Sequence, residues 1–230
     1  MIRTIGIIGG MSWESAAQYY TLINRGVRDA LGPTRSARIV MDSLDFGAVE
    51  PLQRAGEWDT LGAMLADSAR RLEAAGADFL VLATNTMHTV AGHIEAASGI
   101  DLIHICDPAA EAIRAAGVAR VGLLGTAFTM EQAFYRDRLE ASGFAVIVPE
   151  ADERAEVHRV IYEELVAGRI LESSRAAYRA VMERLAERGA EGVVLGCTEI
   201  ALLVGAADSP LPLFDTTALH AAAAVRRALS

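Results

Sequence analysis

Short apolar runs alternate with longer amphipathic stretches along the whole chain. The runs at 4–8, 37–44, 79–83 and 102–105 are rich in β-branched residues and too short for helices, which predicts buried parallel strands. Between them the apolar period lengthens. Residues 14–31 read as a helix with Ser12 as N-cap and Gly32-Pro33 as its stop, and 57–75 as a second with Leu61, Met64, Leu65, Ala69 and Leu72 on one face. A third is expected from the turn TNTMH to about Ser98, and 45–56 as a loop. From residue 120 onward the order recurs, with strands at 120–124 and 144–148, a run ending at Gly196, and a last strand near Leu213. The helices between them are expected at 130–142, 152–167, 171–188 and from Thr216. Such alternation predicts an α/β fold with a doubly wound parallel sheet in each half.

The halves share wording as well as rhythm. Residues 76–86 (GADFLVLATNT) match 189–199 (GAEGVVLGCTE) position for position, which sets Thr84 opposite Cys197. Residues 4–9 (TIGIIG) answer 120–125 (RVGLLG), and LIHICD ending at Asp107 answers LPLFD ending at Asp215. One half is therefore a diverged copy of the other. Thr84 and Cys197 each follow a strand's carboxyl end, where open α/β sheets bind ligands.

Composition narrows the possible partners. With 230 residues, 52% hydrophobic and 22% charged, the chain can bury an ordinary core as one large domain or two small ones, and the repeat favours two. A net charge of -9 without a Lys/Arg block argues against nucleic acid. Nothing resembles a signal h-region or a membrane span, so a cytoplasmic protein is expected. Cys106 and Cys197 show no CxxC spacing, and neither a disulfide framework nor a zinc site is suggested. The loop Gly6-Ile7-Ile8-Gly9-Gly10 lacks the spacing and the lysine of a dinucleotide or P-loop phosphate cradle.

GGMSWES after the first strand, the TNTMH turn, GTAFTMEQAFY, PEADER and GCTEI together resemble the aspartate/glutamate racemase superfamily, most closely its bacterial amino-acid racemases. The resemblance spans the whole chain and rests on paired turns in both repeats. It implies two pseudo-symmetric α/β domains, 1–98 with 208–230 and 99–207, crossing over after the third strand of each repeat, with the active site in the cleft between them. It also implies a homodimer and a small amino-acid substrate, with no pyridoxal phosphate or metal.

Racemisation removes an α-proton and returns one to the opposite face, so two acid/base groups must flank the carbon. Cys197 is the expected base, its thiolate favoured by a helix terminus, since a free thiol titrates near ~8.5; Thr84 is its counterpart. The enolate-like charge on the carboxylate needs preorganised donors, expected from Asn85, Thr86 and Thr198, with Met11, Ser12 and Thr126 next in line. Asp45, Gln53 and Arg54 lie after the second strand on the same side, where Arg54 could meet a substrate carboxylate or simply be solvated. Val166 stands where some relatives carry a lysine. His88 could orient substrate or cap a helix, and Glu199 could hold its turn. Cys106, His93, His104, His158 and His220 are expected to be structural. An arylmalonate decarboxylase-like reaction, which needs one-sided protonation only, is the alternative.

Overall fold

The computed structural model describes residues 2–230. Strands β1 (Ile5–Gly9), β2 (Ile39–Ser43), β3 (Phe79–Leu82) and β4 (Leu102–Ile103) form a parallel sheet in the order β2-β1-β3-β4. Strands β5 (Arg120–Gly125), β6 (Ala145–Ile147), β7 (Gly192–Gly196) and β8 (Leu213–Asp215) form a second in the order β6-β5-β7-β8. The shared order is the sequence repeat expressed as topology.

The chain divides into two compact units, Met1–Ile105 with His220–Ser230, and Cys106–Leu219. Each sheet keeps the fourth strand of its own repeat, so the crossings fall later than the third-strand positions expected from the resemblance. The reason lies at the sheet edge. β4 pairs Leu102 and Ile103 with Leu80 and Val81, and β8 does the same for β7, which gives each strand's outer backbone groups local partners.

Pleating explains the near-continuous apolar runs. In the first unit Ile5, Ile7, Phe79 and Val81 share a core with Tyr19 and Ile23 of α1 (Trp13–Leu31) and Ala221 and Ala224 of α11 (Thr216–Leu229). Ile8, Leu80 and Leu82 pack instead with Leu61, Leu65 and Leu72 of α3 (Trp58–Ala74). Each fully buried Ile or Leu contributes about 1.5–3 kcal/mol, so a one-residue slip, which exchanges the two faces, is strongly disfavoured. In the second unit Leu124, Val193 and Leu195 pack with Val157 and Val160 of α8 (Ala151–Val160) and Tyr178 and Leu185 of α9 (Glu172–Glu187).

Ser12 caps α1 as expected, its hydroxyl accepting from the Ser15 amide at 3.2 Å. Residues 45–56 are not a loop: Phe46–Ala55 form α2, where Asp45 accepts from the Gly47 amide at 3.0 Å and Gly56 closes the helix at φ 73°. Pro51 obscured it, because a proline inside a helix costs roughly 3 kcal/mol. Both ends are capped and Val49 and Gln53 are buried one turn apart, which offsets that cost.

Cys106, expected to trail a strand, opens α5 (Cys106–Ala115). The helix expected at 130–142 is two, α6 (Ala127–Glu131) and α7 (Ala133–Ala141), separated by the extended Gln132. α8 runs into a π-helical turn, Ile161–Leu165, in which the Val166 amide donates to the Ile161 carbonyl at 3.0 Å. Short α4 (Ala91–Ala97) and α10 (Ile200–Leu203) follow the two turns that carry the site.

Candidate active site

In the second unit the end of β7 is drawn close to β5. Gly125 and Gly196 face each other in register, and a Cβ on Gly196 would lie 2.9 Å from the Leu124 carbonyl oxygen. Glycine is the residue that lets the following turn sit there. Cys197 is buried, and its Sγ donates to Glu199 Oε2 at 3.0 Å; the Thr198 hydroxyl donates to the same oxygen at 2.6 Å. Glu199 is itself 5% exposed.

Burial pushes the Cys197 thiol well above its ordinary range. The charge of Glu199 and the hydrogen bond to it push the same way, and the Glu199 and Thr198 amides oppose them. The expectation of a resting thiolate is thereby corrected. The helix that follows, α10, is one turn long, and its terminus does not outweigh desolvation beside a carboxylate. The group in place is a thiol hydrogen-bonded to a proton acceptor.

Thr126 follows β5 directly, and its hydroxyl accepts from the Thr129 amide at 3.3 Å as the cap of α6. His158 of α8 accepts the next amide, Ala127 N–H, at 3.1 Å. Since β5 and β7 are neighbours, Thr126, Cys197 and Thr198 gather at one sheet end.

In the first unit, Thr84, Asn85 and Thr86 are buried in the turn after β3. The Thr84 amide donates to the Leu82 carbonyl at 2.9 Å, and the Ala83 amide to the Ile8 carbonyl at 2.9 Å, so the turn sits against the end of β1. Met11 and Ser12 continue from that end, both buried. Gly10 allows their loop its path: φ is 87°, and a side chain there would collide with the Leu44 carbonyl.

His88 neither caps a helix nor faces solvent. Its Nδ1 lies 2.8 Å from the Thr84 carbonyl oxygen, and its Nε2 accepts from the Ile105 amide at 3.2 Å. Those partners leave one tautomer, neutral with the proton on Nδ1. Burial, then His104 and His220, push its pKa well below the usual histidine range.

Gln53 comes to the site from α2. Its Nε2 donates to Met87 Sδ at 3.0 Å, and its buried Oε1 meets no hydrogen-bond donor among the described residues. Arg54 points away, four-fifths exposed and paired with Glu50, and Asp45 is spent on its cap. Val166 packs at the edge of the second core and brings no charge.

Cys106 is buried, and desolvation raises its thiol far above the neutral range, as a structural cysteine requires. Reasoning from residues left the roles of Glu199 and His88 open. Their spacings, two and four residues beyond the paired Thr84/Cys197 position, were the available signal. No group of three or more His, Cys, Asp or Glu among the described residues is arranged to hold a metal ion.

Two parallel α/β sheets of the same strand order, each with a buried polar turn after its third strand, define a duplicated α/β architecture. The chain belongs to the Asp/Glu/Hydantoin racemase family, whose profile it matches over residues 8–224, and it is a racemase. It is 50% identical to a candidate Asp/Glu racemase from Yersinia pestis, with 99% of this chain and 100% of that chain covered and a TM-score of 0.93. An aspartate racemase homologue from Pyrococcus horikoshii is 32% identical, with both chains covered in full and a TM-score of 0.86. The broad-specificity amino-acid racemase RacX of Bacillus subtilis is 24% identical over 226 residues, 96% of each chain.

Proposed function

We propose that this amino-acid racemase acts on aspartate and glutamate without a cofactor, with Cys197 as the base for the α-proton and Thr84 as the partner on the opposite face. The observation that carries the reading is the Cys197 thiol hydrogen-bonded at 3.0 Å to the buried Glu199, at the position the repeat pairs with Thr84. The thiol proton passes to Glu199, and the thiolate takes the α-proton. Charge then spreads onto the substrate carboxylate, where Asn85, Thr86, Thr126 and Thr198 supply hydroxyl, amide and backbone donors. Thr84, or a water it positions, delivers a proton to the other face, and the Glu199 proton returns through solvent. Gln53 Oε1, a buried acceptor, suits the substrate ammonium, with Met11 lining the same loop.

A threonine hydroxyl ionises far above neutrality, so it relays a proton more readily than it removes one. The L-enantiomer, whose α-hydrogen faces Cys197 in this reading, is therefore the preferred substrate. With an equilibrium constant of one, kcat/KM must match for both enantiomers. The preference shows in unequal kcat and KM, or in exchange without inversion. The protein works in the cytoplasm, a setting that suits two cysteines outside any disulfide. It pairs as a homodimer, for which Trp13 and Tyr20, exposed on α1, offer an apolar surface, and neither nucleic acid nor membrane is a partner.

The test is incubation of L- and D-aspartate and glutamate in deuterated water with chelator-dialysed protein, read by NMR. Loss of the α-proton signal with formation of the opposite enantiomer is expected. Carbon dioxide released from a substituted malonate, with no exchange from any amino acid, would replace the racemase by a decarboxylase.

A further inference from the structure

His88 stands where three stretches of the first unit meet. Its ring bonds the Thr84 carbonyl at the end of β3 and the Ile105 amide just past β4. The His104 ring lies 4.5 Å away and the His220 ring 6.0 Å away. His220 is fixed in its turn, with Nδ1 2.8 Å from the Tyr19 hydroxyl and Nε2 2.8 Å from the Ile103 carbonyl. The His88 ring donates to a backbone carbonyl and accepts from a backbone amide, so it is neutral, and neither it nor the His220 ring can rotate without breaking two bonds.

We propose that His88 is a positioning residue for Thr84: clamped between the Thr84 carbonyl and the Ile105 amide, it sets the peptide plane after Thr84 and so the direction of the Asn85 amide and the placement of the Cα–Cβ bond that carries the Thr84 hydroxyl. The inference rests on the reading of Thr84 as the second proton-transfer partner. The carbonyl's orientation is the ψ angle of Thr84, and a proton relay is sensitive to small displacements of its donor. Met87, the neighbour of His88, sits in the apolar core with Leu61 and Leu65 of α3, which keeps the segment from sliding. The titratable groups bearing on the His88 ring are His104 and His220. In the second unit the repeat places Ala201 at the matching position, so this clamp serves one turn only.

Two conservative variants separate the clamp's two ends. In His88→Asn the side-chain amide nitrogen takes the place of Nδ1 and can still donate to Thr84, whereas in His88→Gln the amide reaches the place of Nε2 and can serve only Ile105. Both are followed in deuterated water for α-proton exchange of L-substrate and for its inversion to the D-form. His88→Gln should lower inversion about tenfold or more relative to exchange. His88→Asn should hold that ratio to within about threefold of the unmodified protein. Equal losses of exchange and inversion in both variants would mark His88 as merely structural and overturn the proposal. Long-range ¹⁵N–¹H spectra of the unmodified protein read the clamp without turnover: a neutral Nδ1–H ring at pH 7 is expected, and an Nε2–H ring or an imidazolium would refute it. No exchange from any amino acid would end the racemase reading and this role with it, while the ring spectrum still reports whether the clamp exists.

Discussion

In the turn after β7 a buried carboxylate, Glu199, takes hydrogen bonds from both Cys197 and Thr198. In the turn after β3 the matching position is Thr86, and the brace is the neutral ring of His88, bonded to the Thr84 carbonyl. Both turns descend from one duplicated strand-turn unit and both are buried. They differ in the kind of brace: Glu199 is a side-chain acceptor for a thiol and a hydroxyl, whereas His88, with both nitrogens engaged, clamps the backbone. Duplication supplied two similar scaffolds, and the residues two and four places beyond the paired position, Thr86 and His88 in one and Glu199 and Ala201 in the other, set them apart.

The largest break in that comparison is Cys197→Ser. The hydroxyl keeps the hydrogen bond to Glu199 but is too weak a base at neutral pH, so turnover should fall at least ~10³-fold. The fold should be unharmed, with stability changed by less than about 1.5 kcal/mol in chemical denaturation. More than a few per cent of residual rate would remove the thiol from the reaction.

Glu199→Gln sharpens the contrast. Removing the carboxylate takes away a charge that raises the thiol pKa, so thiolate absorbance should appear at lower pH than in the unmodified protein. Turnover should nonetheless drop about 10²-fold, because an amide cannot receive the thiol proton. A faster enzyme with a more acidic thiol would mean that Glu199 acts by its field alone.

Thr84→Cys attacks the asymmetry from the other side. A second thiol gives the first-unit turn its own base, and kcat with D-substrate should rise about tenfold. Equal kcat and KM for both enantiomers before any substitution would show that the threonine turn already removes protons well.

The smallest effect is on stability. Burial and then two histidines hold the His88 pKa below its ordinary value. The unfolded chain therefore takes up a proton as pH falls through about 6.5 while the folded one does not. Stability from this residue is full above about pH 6.5 and declines below it toward the folded value, by up to about 1.4 kcal/mol per pH unit. Thermal unfolding scanned from pH 7.5 to 5 should show that decline, and His88→Asn should flatten it.

The apolar rhythm was enough to read the α/β alternation and the duplication, because parallel strands covered on both faces must be apolar throughout. The matching placement of Thr84 and Cys197 just after β3 and β7 was legible through the repeat, which no single motif would have supplied. α2 was not, since Pro51 argues against a helix, and the capping by Asp45 and Gly56 and the burial of Val49 and Gln53 that together offset it are visible only in three dimensions. α5 was hidden by the strand pattern running straight into Cys106. The protonation of Cys197 was misjudged for a related reason. A strand end followed by a helix suggests a stabilised thiolate, but the burial of Glu199 beside it is a property of packing. The later crossings, too, depend on β4 and β8 completing the edges of β3 and β7.

Those crossings also order events during synthesis. The second unit is one continuous segment, Cys106–Leu219, whereas the first is completed only by His220–Ser230. Domains ordinarily fold in the order in which they leave the ribosome. Here the unit begun first must wait, its sheet face lacking Ala221 and Ala224 and its Tyr19 hydroxyl lacking His220, until the second has been made in full. A released chain that stopped before residue 220 would thus hold every residue of the second unit and a first unit with an open apolar face, the state in which a chaperone would find it.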